Sequence, residues 1–310
     1  MLEPSRNLRE PSRSALRWVA DAVGSGAKIQ SVYPLAGATS SVLHGVEVLR
    51  NGRSVGLVLR RFVNEDWLKL EPDLALHEAA CLVAAAKAQV PTPELIAFDE
   101  KGEHCGFPAT LMTRLTGSVE LQPENFDRWL HQLAEAIIPV HSMEPPALRW
   151  TFYTYYDISK LAAPVWSKFP ELWEKAIEIV AGPGPQAREC FIHRDYHPTN
   201  VLWHEGRISG VVDWVNACLG AAGIDVSWCR LNLAKLYGVE PADRFLRAYQ
   251  DLAGASFTYH PYWDLIAAME LLPGPPDVYE GWAAFGIRNL NEEIVRERAD
   301  EYLFSIMARL

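Results

Sequence analysis

Three polar residues in the second half of the chain have types and spacing that suit phosphoryl transfer. Asp195 lies five residues before Asn200, and Asp213 lies thirteen residues after Asn200, in the segment FIHRDYHPTNVLWHEGRISGVVD. A loop carboxylate can accept the proton of an incoming hydroxyl, while an amide oxygen and a second carboxylate are oxygen ligands of the kind that Mg²⁺ prefers. Phosphoryl transfer asks little else of a protein beyond positioning and charge neutralisation. The segment therefore indicates a phosphate-transfer site rather than a polar turn.

This segment resembles the catalytic loop and metal-binding aspartate of the protein-kinase-like fold, and in its details those of the aminoglycoside phosphotransferase family. Members of that family carry a His-x-Asp-x-x-x-x-Asn loop, then an Asp-Trp pair, then a glycine and an aspartate. The matching positions in this chain are His193, Asp195, Asn200, Asp213, Trp214, Gly220 and Asp225. The family often has His or Lys at the position of His197, which either contacts phosphate or fills the loop.

The resemblance implies a role for each matching residue. Asp195 is expected to be the catalytic base, and Asn200 and Asp213 are expected to bind Mg²⁺. Asp225 is expected to brace the catalytic loop, although it could also be an ordinary helix N-cap. His193 is expected to be a hydrogen-bonded structural residue rather than a catalyst.

The first part of the chain resembles the nucleotide-binding lobe of the same family. The run GLVLRRFV at 56–63 resembles the strand that supplies a phosphate-binding lysine, so Arg60 takes the place of that lysine. Arginine binds phosphate through a planar fork rather than as a point charge. Glu78 is expected to form an ion pair with Arg60, and the alternative is a solvated helix residue. The phosphate-covering loop at 35–42 has a single glycine, Gly37.

A second set of positions is expected to bind the base of ATP or GTP. The runs PTPELIAFD and LMTRLTG resemble the connection to the family's hinge. Backbone groups of Met112, Thr113 and Arg114 are therefore expected to face the adenine. Leu202 and Val212 are the expected apolar contacts below it. The sequence does not choose between the two nucleotides.

Periodicity and turn residues predict an α+β fold. A helix at 14–23 precedes five strands and one main helix. The strands are predicted at 29–35, 42–50, 54–63, 94–98 and 109–113, and the main helix at 73–88. The dipeptide Asn51-Gly52 is typical of a hairpin. Long helices follow, predicted at 123–142, 155–181, 222–237, 241–254, 261–272 and 289–309, with short strand-like runs at 190–193 and 200–213.

We therefore predict a bilobal protein-kinase-like fold, with a five-stranded antiparallel N-terminal lobe carrying one main helix and a mostly helical C-terminal lobe. Residues 1–115 are the predicted nucleotide-binding lobe. Residues 116–310 are the predicted helical lobe, with the catalytic loop at 193–200 and the substrate region at 238–310.

The predicted substrate region is rich in aromatic residues. These are Tyr259, Tyr262, Trp263, Tyr279, Trp282 and Phe285. Trp263 and Trp282 could stack on a sugar or a cation, although aromatic residues at helical spacing more often belong to the core. Glu270, in the apolar run AAMELL, could bind a cationic group or be a surface-facing glutamate of a helix.

Composition limits the classes of function. The chain has 310 residues, a net charge of -10 and five scattered cysteines. The negative charge argues against a nucleic-acid partner and weakly favours a cationic acceptor. The cysteine spacing gives no support for a zinc site or a disulfide framework, which is typical of a cytoplasmic protein. No apolar run is long enough for a membrane span or a signal peptide.

Three functions remain to be distinguished. The first is a Mg²⁺-dependent kinase that phosphorylates a hydroxyl of a small molecule, such as an aminoglycoside or other antibiotic, a choline-like alcohol or a sugar. The second is a protein kinase, which is disfavoured because Trp214-Val215 replaces Phe-Gly after Asp213 and no Ala-Pro-Glu segment follows. The third is a non-catalytic nucleotide-binding module, which would have no reason to keep Asp195. The acceptor and the oligomeric state are left open.

Overall fold

The structure, a computed structural model, describes residues 10–35, 41–272, 274–279 and 281–310. The chain divides into two compact units. Unit 1 comprises the described residues within Met1–Lys87, Pro91–Thr116 and Trp214–Asn216, and unit 2 those within Ala88–Val90, Gly117–Asp213 and Ala217–Leu310. The assignment of nucleotide binding to one part and of substrate binding to another stays a prediction.

Unit 1 is built on the predicted five-stranded antiparallel sheet. Its strands are β1 (Lys28–Pro34), β2 (Val42–Arg50), β3 (Arg53–Arg61), β4 (Leu95–Asp99) and β5 (Ala109–Thr113). They lie in the order β1-β2-β3-β5-β4. At the β2–β3 turn, Asn51 and Gly52 both have positive φ values, 50° and 76°, which are the values that this type of hairpin requires. In this register Arg60 of β3 pairs with Leu43 of β2 on one side and with Thr110 of β5 on the other.

Three helices accompany this sheet. Helix α1 (Arg13–Val23) begins at Ser12, whose hydroxyl accepts a hydrogen bond from the Ala15 N–H. It packs Ala15 and Val19 into an apolar cluster with sheet residues. Helix α2 (Glu65–Leu70) was not predicted, because its six residues are too few to show helical periodicity. Helix α3 (Leu74–Ala85) is the predicted main helix and buries most of its residues.

Unit 2 is mostly helical. Its helices are α4 (Phe126–Ser142), α5 (Pro170–Ala181), α6 (Ala222–Tyr237), α7 (Val239–Ala253), α8 (Tyr262–Ala268), α9 (Gly281–Ala284) and α10 (Glu292–Met307). Its strands are β6 (Glu189–Ile192), β7 (Val201–His204), β8 (Arg207–Val211) and β9 (Cys218–Ala221). Strand β6 pairs with β9, and β7 pairs with β8. The predicted fold class is therefore confirmed.

In two places unit 2 differs from the prediction. The helix predicted at 155–181 begins only at Pro170, and the preceding residues hold a single turn of 3₁₀-helix, Ile158–Lys160. Proline removes a backbone donor and disfavours helix in the residue before it, so Pro164 and Pro170 explain the late start. Strand β9 was not predicted, because its four residues pair with β6 only through tertiary structure.

The structure also bears on the cysteines and on membrane-spanning helices. All five cysteines are free and buried. Among the residues that the structure describes, no helix has the length and apolar character that crossing a lipid bilayer would require.

Candidate active site

The loop that follows β6 carries the predicted catalytic residues. Cys190, Phe191 and Ile192 of β6 are buried, which fixes the start of the loop in the core of unit 2. A turn of 3₁₀-helix, Pro198–Asn200, ends the loop and leads into β7. The β7–β8 hairpin then brings Asn200 and Asp213 to the same end, because Val201 pairs with Val211 and the Val212 N–H donates to the Asn200 carbonyl at 2.9 Å.

Asp195 is held by donors on both carboxylate oxygens. The indole N–H of Trp228 donates to Oδ1 at 2.8 Å, and the amide of Asn200 donates to Oδ2 at 3.2 Å. His197 Nε2 lies 3.3 Å from Oδ1. The side chain nevertheless keeps 29% of its surface exposed. A carboxylate that is both oriented and accessible can accept a proton from a substrate.

The pKa of Asp195 lies below the usual value for an aspartate. Burial alone raises this pKa, but the charges of His197 and His193 and the hydrogen bonds from His197 and Trp228 outweigh that effect. Hydrogen bonds and positive charges favour the ionised form of a carboxylate. Asp195 is therefore ionised, and able to act as a base, over the whole neutral range.

Asn200 and Asp213 supply oxygen atoms of the kind that bind Mg²⁺. Asn200 uses its amide nitrogen for its contacts with Asp195, so its amide oxygen is the atom that could bind a metal. The pKa of Tyr279 is raised by burial and then by the charges of Asp213 and Asp195. The carboxylates of Asp213 and Asp195 therefore both act on the surroundings of Tyr279 in unit 2, where their negative charge favours the binding of a cation.

The described residues include no cluster of three or more His, Cys, Asp or Glu side chains suited to a metal. Mg²⁺ is usually bound by one or two protein carboxylates together with substrate phosphates and water, not by a cage made of protein alone. One amide oxygen and one carboxylate, from Asn200 and Asp213, therefore fit Mg²⁺ that binds together with a nucleotide.

Asp225, in the first turn of α6, contacts the catalytic loop directly. Its Oδ2 accepts the His193 N–H at 2.7 Å, and its Oδ1 accepts the Arg194 N–H at 2.6 Å. The ring of His193 lies 2.9 Å from the Val212 carbonyl, one residue before Asp213. These contacts tie the loop to α6 and to the end of the hairpin, which is the bracing geometry expected of Asp225 and His193.

Arg194 lies beneath two tyrosine rings. Its guanidinium carbon is 4.4 Å from the ring centre of Tyr153 and 4.3 Å from that of Tyr155, and it donates to the Tyr153 carbonyl at 2.9 Å. Arg194 is buried, whereas the two tyrosines are 47% and 50% exposed. The residue before the predicted base is thus fixed by cation–π contacts.

Glu270 lies near the catalytic loop, in the 3₁₀ turn Met269–Leu271. Its pKa is raised to about 7, first by burial, while the charge of Arg194 lowers it and that of Asp195 raises it further. The pKa of Tyr156 is raised by burial and by the charge of Glu270. Glu270 is therefore a partly buried carboxyl group close to the predicted base, and not a surface-facing glutamate.

The two tryptophans proposed as a substrate wall differ in burial. Trp282 is 2% exposed and packs against Tyr279 and the Lys235 side chain. Of the two alternatives for Trp282, a substrate wall or the core, this burial favours the core. Trp263 is half-buried and packs against Tyr262 and over Gly223, where an added Cβ would collide with its ring.

The expected ion pair between Arg60 and Glu78 is present in unit 1. Arg60 Nη1 lies 2.7 Å from Glu78 Oε1, and Arg60 Nε donates to the Ser41 hydroxyl at 3.0 Å. Thr110 donates to the other carboxylate oxygen of Glu78. Arg60 is 5% exposed and Glu78 is 1% exposed. The cation therefore has a fixed orientation on the same face of the sheet as α3.

For the remaining predicted nucleotide contacts the structure gives only the burial of the side chains, and one of them is not described. Gly37 lies outside the described residues. Met112 is buried in β5, and Leu202 and Val212 are half-buried in unit 2.

The backbone of the predicted hinge is already partly engaged. The Thr113 N–H donates to the Glu94 carbonyl and the Arg114 N–H donates to the Gly56 carbonyl, each at 2.9 Å. These two N–H groups therefore belong to the sheet. The expectation that backbone groups of Met112, Thr113 and Arg114 face the base stays a prediction for groups other than these two N–H groups.

Sequence reasoning missed several residues that contact the catalytic loop or the residues that brace it. They are His141, Tyr153, Tyr155, Trp228 and Tyr249. Only Trp228 had a local signal, because it lies one helical turn after Asp225. The others reach the loop from distant parts of the chain.

Comparison with known proteins agrees with this geometry. The model of the phosphotransferase enzyme family, abbreviated APH, matches residues 45–264. A search of curated proteins finds no match.

Solved structures with the same fold include phosphotransferases. Aminoglycoside phosphotransferase APH(4)-Ia has 17% identity and a TM-score of 0.61, with 94% of this chain and 98% of the other covered. A ternary complex of a thermostable mutant of that enzyme with AMP-PNP and hygromycin B has 18% identity and a TM-score of 0.59, covering 94% and 98%. Macrolide 2'-phosphotransferase MphH from Brachybacterium faecium has 17% identity and a TM-score of 0.57, covering 92% and 97%. At such low identity these likenesses show the fold, whereas the family match spans more than half of the chain. The chain belongs to the phosphotransferase enzyme family.

Proposed function

We propose that this protein transfers the γ-phosphoryl group of ATP or GTP to a hydroxyl group of a small molecule. The observation that carries the proposal is the state of Asp195, which is ionised, oriented by Trp228 and Asn200, and partly exposed. A protein that only binds nucleotide has no use for such a carboxylate. The buried, free cysteines support a cytoplasmic location, where thiols stay reduced.

In the proposed reaction, Asp195 accepts the proton of the acceptor hydroxyl. The hydroxyl oxygen forms a bond to the γ-phosphorus, and the bond from that phosphorus to the β–γ bridging oxygen breaks. Arg60, fixed by Glu78, neutralises phosphate charge. Mg²⁺, when held by Asn200 and Asp213, would neutralise charge on the phosphate oxygens.

The proposal is tested by measuring nucleotide consumption by the purified protein with Mg²⁺ and ATP or GTP. The acceptor panel contains aminoglycosides, macrolides, choline and sugars. We expect one acceptor class to stimulate turnover and the product to carry one added phosphoryl group by mass spectrometry. Nucleotide binding without stimulation by any acceptor would instead favour a non-catalytic binding module.

We further propose that the acceptor carries a positive charge and that Glu270 binds it. The pKa of about 7 means that Glu270 gains its negative charge as the pH rises through neutrality, whereas Asp195 is already ionised. The KM for a cationic acceptor should therefore fall between pH 6 and pH 8, by up to about tenfold for each pH unit below the pKa. Tyr156, Arg194 and Asp195 are the charged or titratable groups coupled to Glu270.

The variant Glu270→Gln should remove this pH dependence. Its KM should stay at the high value that the wild type has at low pH. Glu301→Gln, at an exposed position of α10, is the control. The measurement is KM for the acceptor from pH 6 to pH 8. An unchanged pH profile in Glu270→Gln would assign the dependence to another group.

Replacing Asp213 tests the proposed metal site. Asp213→Asn keeps the shape of the side chain but removes its charge. We expect the Mg²⁺ concentration for half-maximal activity to rise by about tenfold or more, equivalent to about 1.4 kcal/mol of binding free energy. A Mg²⁺ titration of the rate checks this, and Asp277→Asn, at an exposed position of unit 2, is the control. An unchanged titration would remove Asp213 from the metal site.

A further inference from the structure

Three buried side chains, linked by hydrogen bonds, lie behind the catalytic loop. His141, at the end of α4, has its Nε2 atom 3.0 Å from Asp225 Oδ2 and its Nδ1 atom 2.6 Å from the Tyr249 hydroxyl of α7. His141 is 4% exposed, Tyr249 is 1% exposed and Asp225 is fully buried. These hydrogen bonds connect to the backbone of the loop, since Asp225 accepts hydrogen bonds from the N–H groups of His193 and Arg194.

The chemistry of the groups fixes the direction of these hydrogen bonds. Both oxygens of Asp225 already accept backbone N–H groups, so in the proposed arrangement His141 Nε2 carries the proton and donates to Oδ2. In the Nε2–H tautomer Nδ1 is an acceptor, and the Tyr249 hydroxyl donates to it. The pKa of Tyr249 is raised, mainly by burial, so the hydroxyl keeps its proton. Tyr249 thus selects the ring tautomer that can donate to Asp225.

The backbone at Arg194 needs this support. Arg194 has a φ of 67°, in the left-handed region, which is strained for a non-glycine residue. Successive N–H groups beside such a residue form a concavity that binds an anion. The Asp225 carboxylate occupies this concavity and uses both of its oxygens there. The strained turn directly precedes Asp195, so the orientation of Asp225 sets the orientation of the proposed base.

We propose that His141 is a positioning residue for phosphoryl transfer. Through its Nε2–H it holds Asp225 in the rotamer that binds the two loop N–H groups, and Tyr249 holds His141. The catalytic part of this inference rests on the proposed function of Asp195. Arg188, whose guanidinium donates to the His141 carbonyl at 2.7 Å, fixes the backbone of the same residue.

The test compares two amides at position 141. In His141→Gln the side-chain nitrogen can reach the place of Nε2 and still donate to Asp225, whereas in His141→Asn the nitrogen corresponds to Nδ1 and cannot. We expect His141→Asn to lower kcat by about 100-fold with little change in the nucleotide KM, because a displacement of about 1 Å at a reacting group costs that much. His141→Gln should recover most of the rate. His131→Asn, on the exposed side of α4, is the control.

A second measurement does not depend on activity. Hydrogen exchange of the His193 and Arg194 amides should be faster in His141→Asn than in the wild type, and slow again in His141→Gln. Equal exchange and equal kcat in both variants would overturn the proposal. So would a loss of rate in His141→Asn that only follows the loss of folded protein in thermal unfolding. If the wild type transfers no phosphoryl group, the proposed function fails, while the exchange comparison still decides whether His141 holds the loop.

Discussion

Asp195→Asn should lower kcat for phosphoryl transfer by about 10²- to 10⁴-fold, the usual contribution of a general base. The side chain keeps its size, but the new amide has no strongly basic oxygen. Its NH₂ group would also face one of the two donors, Trp228 or Asn200, that now bind the carboxylate. Nucleotide affinity should change little, because Asp195 is proposed to contact the acceptor hydroxyl. Steady-state kinetics with the stimulating acceptor, and calorimetry with a non-hydrolysable nucleotide, measure the two quantities.

The matched control for this variant is Asp251→Asn, which makes the same chemical change at an exposed position of α7. It should leave kcat unchanged. An Asp195→Asn protein with wild-type kcat would remove Asp195 from the mechanism. The expected result is a variant that binds nucleotide as well as the wild type but transfers phosphoryl groups at the lowered rate.

The part of the site that the sequence predicts is the part encoded by a short stretch of chain. Asp195, Asn200 and Asp213 are brought together by one loop and one hairpin, so local spacing already implies their proximity. The turn of that hairpin is also local, since Glu205 and Gly206 have φ values of 51° and 68°. The five-stranded sheet was predictable for a similar reason, because its strands are short apolar runs bounded by turn signals such as Asn51-Gly52.

The residues that sequence reasoning missed depend on long-range packing. His141 lies 84 residues before Asp225 and 108 residues before Tyr249, and no local pattern joins positions so far apart. The same holds for Glu270, whose burial and raised pKa follow from its tertiary surroundings. For Trp282 the sequence left two alternatives, a binding surface or the core, and its burial through tertiary packing favours the core.

Arg60, which the sequence resemblance puts in the place of a lysine, is held in unit 1 by several contacts. The guanidinium has separate nitrogens for Glu78 and Ser41 and lies over the Phe62 ring, with its central carbon 5.2 Å from the ring centre. A lysine has one nitrogen and could not keep this fixed orientation. Glu78 is almost fully buried, and Arg60 forms a direct ion pair with it.

Arg60→Leu should therefore lower the free energy of unfolding by about 3–5 kcal/mol, since removing one partner of a buried ion pair leaves the other charge uncompensated. Arg60→Lys keeps the charge but loses one hydrogen bond, so a loss of about 1 kcal/mol is expected. Arg53→Leu, at the exposed start of β3, is the control, with a change within about 0.5 kcal/mol. Urea denaturation measures all three. If Arg60→Leu were as stable as Arg53→Leu, the pair would not be needed to hold Glu78, and its role would have to be sought in nucleotide binding alone.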